Sequence, residues 1–366
     1  MTEMTMLSGI EVVPDYRIRV SNKDITADLS PRLISLTHTD NRGFEADLLD
    51  IELDDADGLL EMPVRGAVLS LALGWKGQAL EVKGDFTVDE IEHFGAPDRI
   101  SVRARSADFR QTLNIKREKS WHKTTIGQVM QEIAARHKLK VAVGKDMAAQ
   151  EVDHIDQTNE SDGSFLARLA KMYGAIAAVK SGNLMFIRQG QGKSASGQAL
   201  PVATITRSSG DQHRFSIIDR SAYTGVVASW LHTREAKKKP TVKVKRRRRR
   251  KTTAKTKTPE AKQGEYLVGS DENVLVLSRT YANKSNAERA AKEHWSRIQR
   301  GVASFSITLA MGREELFPEQ PVRVSGFKPV IDTADWIITT VTNTINDSGF
   351  TTALELEVKI SDLDME

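Results

Sequence analysis

Short segments in which polar and apolar residues alternate constrain this chain most, because a period of two predicts strands rather than helices. Gly, Asn, Asp and Pro lie between successive segments and favour turns. The segments of the first 105 residues are Tyr16–Val20, Leu33–Thr39, Ala46–Leu53, Ala67–Gly74, Gly84–His93 and Ile100–Arg105. Several short strands at this spacing indicate a β-barrel or a β-sandwich.

The next part of the chain changes from a strand pattern to a mixed pattern. Its predicted elements are helix Thr124–His137, strand Leu139–Val143, helix Ser161–Tyr173, and strands Ala175–Lys180 and Leu184–Arg188. Thr124 or Thr125 suits the N-cap of the first helix, and Ser161 suits that of the second. Gly174 suits the left-handed residue that ends a helix. We therefore predict a small α/β domain here.

Strand patterns return after a Gly- and Ser-rich connector at Gln189–Gln198. The predicted strands are Val202–Thr206, His213–Ile218, Tyr223–Thr233, Asn273–Arg279, Ala303–Ala310, Val322–Gly326, Trp336–Thr344 and Thr351–Lys359, with one helix at Ser285–Gln299. We expect these strands to form a second β-barrel with a helix attached. A basic tract joins Tyr223–Thr233 to Asn273–Arg279 in this prediction.

The fold class predicted from these patterns is α+β, mainly β, with two β-barrel domains, an inserted small α/β domain and a flexible basic loop. The predicted domains are a first β-barrel (1–105), the α/β insert (106–190), the start of the second β-barrel (191–235), a disordered Lys/Arg-rich loop (236–264), and the remainder of the second β-barrel with one helix (265–366).

The basic tract dominates the charge of the chain. Between Lys237 and Lys262 there are 14 Lys and Arg residues and one acid, which leaves 39 basic and 48 acidic residues elsewhere out of totals of 53 and 49. Because like charges repel and large apolar side chains are scarce, the tract cannot build a core and is predicted to be a flexible loop. A folded domain that grips DNA usually carries basic charge on its own surface, whereas this body is acidic.

Three interpretations of the tract remain open: a solvated loop without function, a contact to nucleic acid or an acidic protein surface, and a membrane-surface or targeting signal. Because no aromatic residues are interleaved for base stacking, nucleic-acid contact would involve the backbone, without sequence choice. The residues predicted to make a polyanion or partner contact are Lys243, Lys245, Arg246, Arg247, Arg248, Arg249, Arg250, Lys251, Lys255 and Lys257.

No pattern in the sequence indicates catalysis, a metal or a cofactor. Cysteine is absent, so no disulfide or thiolate site can form, and the eight histidines match no metal motif. We interpret the acidic run Asp50–Asp57 as a solvated strand end and turn, and Ser161–Ser164 as a helix cap rather than a nucleophile turn. The start, Met1–Pro14, lacks a signal-peptide pattern, and no apolar run approaches the ~20 residues that span a bilayer.

Two long stretches resemble a known family. Asp156–Ala175 (DQTNESDGSFLARLAKMYGA) resembles the Q-x-x-E-S-D-x-x-F-L-x-R-L-A signature of phage tail hub proteins. Tyr281–Val341 and Asp347–Glu357 resemble the C-terminal part of the phage late control gene D family. Related hubs include the N-terminal part of type VI secretion spike proteins and the hubs of contractile bacteriocins.

The resemblance implies two similar β-barrels per chain and a homotrimer, in which six similar units let a six-fold tail tube meet a three-fold central spike. It implies the spike, the tail tube protein and the tape-measure protein as partners. The implied location is the baseplate of a virion tail, after assembly in the bacterial host cytoplasm. Because no catalytic pattern is visible, the sequence predicts no enzymatic activity and no cofactor.

Three alternatives to a phage tail hub follow from the same sequence. The family name suggests a DNA-binding regulator of late phage transcription, although no helix-turn-helix with a basic recognition helix is visible. The chain could instead be the hub of a contractile bacteriocin or a type VI-like injection device. A wall-degrading or host-attachment enzyme would need a pair of carboxylates that the sequence does not reveal.

Overall fold

Strands make up most of the computed structural model, which describes residues 12–106, 113–180, 182–217, 223, 225–231, 243–244, 263–270, 273–300 and 303–359. The strands of the first half are β1 (Pro14–Val20), β2 (Lys23–Asp24), β3 (Leu33–Asn41), β4 (Leu48–Asp54), β5 (Val68–Trp75), β6 (Glu81–Phe94), β7 (Arg99–Ser106), β8 (Lys116–Thr125), β9 (Lys140–Val143), β10 (Glu151–Ser161), β11 (Ala175–Lys180) and β12 (Asn183–Arg188).

The strands of the second half are β13 (Ala203–Thr206), β14 (Gly210–Ile217), β15 (Gly225–Leu231), β16 (Lys243–Val244), β17 (Gln263–Gly269), β18 (Val274–Val276), β19 (Ala303–Leu309), β20 (Pro321–Ser325), β21 (Trp336–Asn346) and β22 (Gly349–Val358). The helices are α1 (Thr26–Leu29), α2 (Ile126–Arg136), α3 (Lys145–Ala148), α4 (Asp162–Tyr173), α5 (Lys284–Arg300) and α6 (Pro329–Asp332), and short 3₁₀ turns lie at Ser30–Arg32 and Arg207–Ser209. No helix among the described residues is both long and apolar enough to cross a bilayer.

The strands predicted from the alternating segments of residues 16–105 are confirmed, and we call the group they form, β1 to β7, the first β-unit. Its strands pair antiparallel in the order β3-β4-β7-β6-β5-β1, and the two-residue strand β2 follows β1. Alternate residues point to one face and form a core of buried side chains, among them Ile18, Leu36, Leu49, Leu71 and Phe86.

The second β-unit contains the strands in the order β14-β19-β22-β21-β20-β13. Its core includes Phe305, Trp336 and Leu354, each at most 1 % exposed. Strand β21 also pairs antiparallel with β3, from Thr340 opposite Asn41 to Asn346 opposite Ser35. This pairing joins both units into one 13-stranded sheet.

The two β-units repeat one strand order. If β1, β3, β4, β5, β6 and β7 are matched in chain order with β13, β14, β19, β20, β21 and β22, the pairing order of the two units is the same. All five pairs of neighbouring strands in the first unit are antiparallel. Four of the five corresponding pairs in the second unit are also antiparallel, and the fifth, β13 with β20, is parallel.

Two β-bulges in each unit support this match, while a third shift of the first unit, between Leu71 and Ala72, has no counterpart among the described residues of the second. The pairing of β6 with β7 shifts between Val88 and Glu90, and that of β21 with β22 shifts between Ile338 and Thr340. A second shift lies in β3 between Leu33 and Ser35 and in β14 between Gly210 and Gln212. When paired residues are followed across the intervening strands, the number of residues from one of these bulges to the other is the same in both units. This equal spacing determines which residue of one unit matches which residue of the other.

The insert has a core of its own, formed by β8 to β12 with α2 and α4. Thr125 caps α2 in a reciprocal pair with Gln128, Ser161 caps α4, and Gly174 ends α4 with φ at +58°. These findings confirm the predicted caps. The two-stranded antiparallel sheet of β8 and β10 was not predicted, because its strands are largely polar and bury only isolated side chains such as Trp121, Val152 and Ile155.

The structure differs from the prediction for residues 223–279. Strands β15 and β18 do not join the second β-unit but lie in a separate four-stranded sheet of order β16-β17-β15-β18. The basic tract does not lead directly to β18 either, because β17 comes first. The physical reason is that Val226, Ala228 and Trp230 on one face of β15 are buried with Ala287 and Ala291 of α5.

Candidate functional site

The basic residues predicted for polyanion or partner contact lie almost entirely outside the described residues. Lys243 belongs to β16, where it is paired in parallel with Glu265 of β17. The other nine residues of that prediction, Lys245, Arg246, Arg247, Arg248, Arg249, Arg250, Lys251, Lys255 and Lys257, lie outside the described residues. Their contact with a polyanion therefore stays a prediction.

The hub-like signature contains one buried carboxylate, Asp162, which is held by Gln157 of the signature and by Arg136 and His137 at the end of α2. The side chain of Asp162 is 0 % exposed. Arg136 Nη1 donates to both of its oxygens at 2.8 and 2.7 Å, Gln157 Nε2 donates at 2.8 Å, and His137 Nε2 lies 2.7 Å away. Burial alone would raise the pKa of Asp162, but the hydrogen bonds from Gln157, Arg136 and His137 lower it overall.

An ion pair within the signature also contacts the same helix. Arg168 Nε and Nη2 donate to the carboxylate of Glu160, with the shortest distance 2.6 Å, and Nη2 also donates to the Asp156 carbonyl at 2.7 Å. The Arg168 guanidinium lies 5.2 Å from the centre of the Phe165 ring. Ser161 Oγ accepts from Ser164 N at 3.2 Å, which confirms the cap interpretation. The signature thus holds α4 against the two-stranded sheet of β8 and β10.

The end of β3 and the loop that joins it to β4 contact the insert through a half-buried lysine. Lys180 Nζ at the end of β11 donates to Asp40 Oδ1, to the Asn41 carbonyl at 3.1 Å and to Asp47 Oδ1 at 3.3 Å. Burial, with the charge of Asp40, raises the pKa of Asp47 to about 6, although Lys180 opposes this shift. Burial alone would lower the pKa of Lys180, but Asp40 and Asp47 raise it.

The same loop contacts the second β-unit through an arginine. Arg42 forms ion pairs with Glu319 at 3.3 Å and with Glu357, whose Oε2 accepts from Nη2 at 3.2 Å. Glu319 Oε2 also accepts from Gly190 N at 2.8 Å, where the chain leaves the insert. Burial raises the pKa of Glu319, although Arg42 opposes the shift.

These ion pairs form what we call the charged junction: Asp40, Arg42, Asp47, Lys180, Glu319 and Glu357. The side chains are 8 to 31 % exposed, so their interactions are less screened than surface pairs. Buried ion pairs contribute little net stability, but breaking one leaves a costly unpaired charge. The charged junction can therefore hold both β-units and the insert in one relative orientation. Sequence patterns do not reveal it, because Arg42 and Glu357 are 315 positions apart.

The acidic run Asp50–Asp57 is the end of β4 and the turn that follows it, as interpreted from the sequence, although Asp55 is buried and not solvated. Asp54 Oδ1 accepts from Ala56 N at 2.9 Å, and Asp55 Oδ1 accepts from Leu60 N at 2.9 Å. Asp57 pairs with Arg32 at 2.7 Å. Within the part of the chain that the structure describes, no three His, Asp or Glu side chains are grouped closely enough to hold a metal ion.

A cleft of about 650 Å³ separates the insert from α5. Arg289 of α5 reaches to 4.0 Å from the centre of the Tyr173 ring of the insert, and Arg279 lies 5.8 Å from the centre of the Tyr281 ring. The cleft also contains Glu151, Asp153 and Glu293, so acids and bases are mixed along its walls. It does not present a surface of one charge to a ligand.

Known proteins resemble this chain along almost its whole length. The family model described as phage tail baseplate hub (GPD) matches residues 28–349. A probable baseplate hub protein of Escherichia phage 186 is 55 % identical over 380 residues, which cover 99 % of this chain and 97 % of the relative.

Two solved structures share the fold. The 43 kDa tail protein of prophage MuSo2 from Shewanella oneidensis has a TM-score of 0.64 at 14 % identity, covering 94 % of this chain and 98 % of that one. A type VI secretion component from E. coli has a TM-score of 0.51 at 12 % identity, covering 97 % of this chain and 76 % of that one. On the family match and the identity to the phage 186 protein, the chain belongs to the phage tail baseplate hub (GPD) family.

Proposed function

We propose that this baseplate hub is a homotrimeric adaptor that joins the six-fold tail tube to the three-fold central spike. The observation that supports the proposal is the strand order shared by the first and second β-units. Three chains supply six similar units, so a six-fold tube can meet them at equivalent surfaces. A three-fold spike meets three identical chains at the same time.

We infer that each β-unit curls into a β-barrel. The strands of each unit surround one main core, as the wall of a barrel does. The charged junction would then hold the two barrels of one chain at the rotation that a pseudo-six-fold ring requires. The insert at 106–190 would project from this ring, because its core is separate.

The native mass of the purified chain at high salt, alone and mixed with the spike protein, tests the proposal. We expect three times 40.6 kDa for the chain alone, or that mass plus the mass of the bound spike in the mixed sample. High salt suppresses adventitious contacts of the basic tract with polyanions. A chain that remains a monomer in both samples contradicts the trimeric adaptor.

The remaining parts of the proposal concern place and partners. The hub would assemble in the bacterial host cytoplasm and take its place in the virion baseplate, between the tail tube protein, the tape-measure protein and the spike. It would act mechanically and not as an enzyme. The tract at 237–262 would add a non-specific contact to nucleic acid or to an acidic partner, with binding that weakens steeply as salt rises.

A second candidate is the hub of a contractile bacteriocin or a type VI-like device. The fold shared with the E. coli type VI component favours it. Particles purified through an affinity tag on this chain discriminate the two candidates. Packaged DNA in those particles supports the phage tail, and particles without a genome support the bacteriocin-like device.

A further inference from the structure

The pairing of β21 with β3 shows how a strand edge of one β-unit can bind a strand of the other. Along one of its two edges, β21 pairs first with one strand and then with another. Before its bulge, Trp336 and Ile337 pair with Val322 and Pro321 of β20. After the bulge, Thr340–Asn346 pairs with β3.

Strand β6 matches β21 in the first β-unit, but its second half has no such neighbour among the described residues. Before its bulge, Glu81–Thr87 pairs with β5. After the bulge, Glu90–Phe94 pairs with β7 on one side, and the structure pairs it with no strand on the other. This open edge corresponds to the edge of β21 that receives β3.

Strand β14 matches β3 in the second β-unit, and it too has an open edge. Within the described residues it pairs only with β19, whereas β3 pairs with both β4 and β21. Among the described residues, the first β-unit therefore has an unpaired strand edge that corresponds to the edge of β21. The second β-unit has an unpaired strand edge that corresponds to the edge of β3.

We propose that Glu90–Phe94 of one copy pairs antiparallel with β14 of a neighbouring copy, as β21 pairs with β3 within a chain. The proposal rests on the homotrimer proposed above. Because the two edges differ, the contact is heterologous, and repeated head to tail it generates a ring when the rotation closes. Three copies would carry one continuous sheet around that ring.

The bulges determine the register of this contact. Counted from them, Thr342 matches Glu92 in the first β-unit, and Thr39 matches Ser216 in the second. Since Thr342 is opposite Thr39, Glu92 of one copy lies opposite Ser216 of the next. The neighbouring pairs are then Ile91 with Ile217, His93 with Phe215, and Phe94 with Arg214.

The side chains at the two edges suit this register. Phe94 is 45 % exposed and Ile217 is 56 % exposed, and both would be covered by the neighbouring copy. Ile91 would lie opposite Ile217, which is a favourable cross-strand pair of apolar residues. Glu92 and Arg214 would lie diagonally on one face, within reach for an ion pair. An open strand edge with exposed apolar residues is otherwise an aggregation hazard.

Disulfide trapping tests the contact, because the chain contains no cysteine. The double variant Glu92→Cys/Ser216→Cys places two thiols on opposed residues, about 4.5–5.5 Å apart between Cα atoms. That separation falls within the range of about 4.4–6.8 Å that a disulfide spans. Mild oxidation should convert most of the chains to covalent dimers and trimers on a non-reducing gel, and reduction should reverse the link.

The matched control is Ile91→Cys/Ser216→Cys, in which one cysteine moves by one residue to the other face of β6. It should link at least tenfold less, and the two single variants should form no trimer ladder. A native trimer in which the matched pair links no better than the control overturns this interface and leaves the trimeric adaptor standing. A native monomer that forms no link overturns both.

Discussion

Replacing Asp47 by Asn should stabilise the protein at neutral pH and have almost no effect near pH 4. Burial against the insert and the nearby charge of Asp40 raise the pKa of Asp47 to about 6 from an ordinary value of 3.8. A difference of about two pH units corresponds to about 3 kcal/mol, at about 1.4 kcal/mol per unit. That is the cost of keeping this carboxylate ionised in the folded chain at pH 7.

The sign of the effect follows from proton binding. Between about pH 4 and 6 the folded chain holds a proton on Asp47 that the unfolded chain has released. The stability due to this carboxyl is therefore present below pH 4, falls as the pH rises to 6, and does not return above it. Asn cannot ionise, and its oxygen can still accept from Asn41 N, which lies 2.9 Å from Asp47 Oδ1.

The substitution also removes one partner of Lys180, whose Nζ lies 3.3 Å from Asp47 Oδ1. The raised pKa of Asp47 already includes the opposing attraction of Lys180, so the loss of this partner is not subtracted again. The net gain at pH 7.5 is then about 3 kcal/mol. A gain of that size raises the midpoint of thermal unfolding by several degrees, at about 2–4 °C per kcal/mol.

Thermal unfolding followed by circular dichroism at pH 4 and pH 7.5 measures this effect. Asp40→Asn is the matched control, because it removes the other carboxylate from the same lysine and should lower the midpoint at pH 7.5. If Asp47→Asn lowers the midpoint at pH 7.5 as much as Asp40→Asn does, burial does not raise the pKa of Asp47 and the reasoning is refuted.

Three further predictions concern buried groups. Burial lowers the pKa of His38 to about 3, so the free energy of unfolding should fall by about 1.4 kcal/mol per pH unit below pH 6.5. In urea unfolding, His38→Phe should become more stable relative to the wild type as the pH falls. A stability difference that does not change with pH would contradict this prediction. Asp162→Asn places an amide NH₂ among hydrogen-bond donors and should lower the free energy of unfolding by about 3–5 kcal/mol in the same assay. The exposed Asp28→Asn should change it by less than about 0.5 kcal/mol. Equal effects of the two substitutions would contradict the role of the hydrogen bonds around Asp162. Gly312→Ala would place a Cβ 2.3 Å from the buried Phe350 ring and should lower the free energy of unfolding by about 1–3 kcal/mol. Gly163→Ala, whose Cβ would have its nearest atom at 3.6 Å, should be neutral or stabilising. A neutral Gly312→Ala would show that the ring can move aside.

The sequence alone determined the local elements and the family. Alternation predicted the main strands of the first β-unit, because one buried face forces a period of two. The caps at Thr125 and Ser161 were predictable because capping involves residues only three positions apart. The signature around Asp162 identified the family, although its role in fastening α4 became visible only with the contacts.

Tertiary structure decided which strands share a sheet. Strand β15 has the same alternation as strands of the β-units, yet it pairs with β17 and β18 because α5 covers its apolar face. The repeat of the two β-units is likewise invisible in the residues: His38 of one matches Phe215 of the other, and only pairing order and bulges relate them. Strand order depends on hydrogen bonds between distant segments, which a local pattern does not encode.

The charged junction shows the same limit for a site. Arg42, Lys180 and Glu319 are unremarkable surface-type residues in their own segments, and each becomes part of a site only when the chain brings both β-units and the insert together. A charge is paired or unpaired according to what lies within about 4 Å of it, which sequence spacing does not determine. The sequence therefore determined the elements and the family, while folding determined how the three parts are held together.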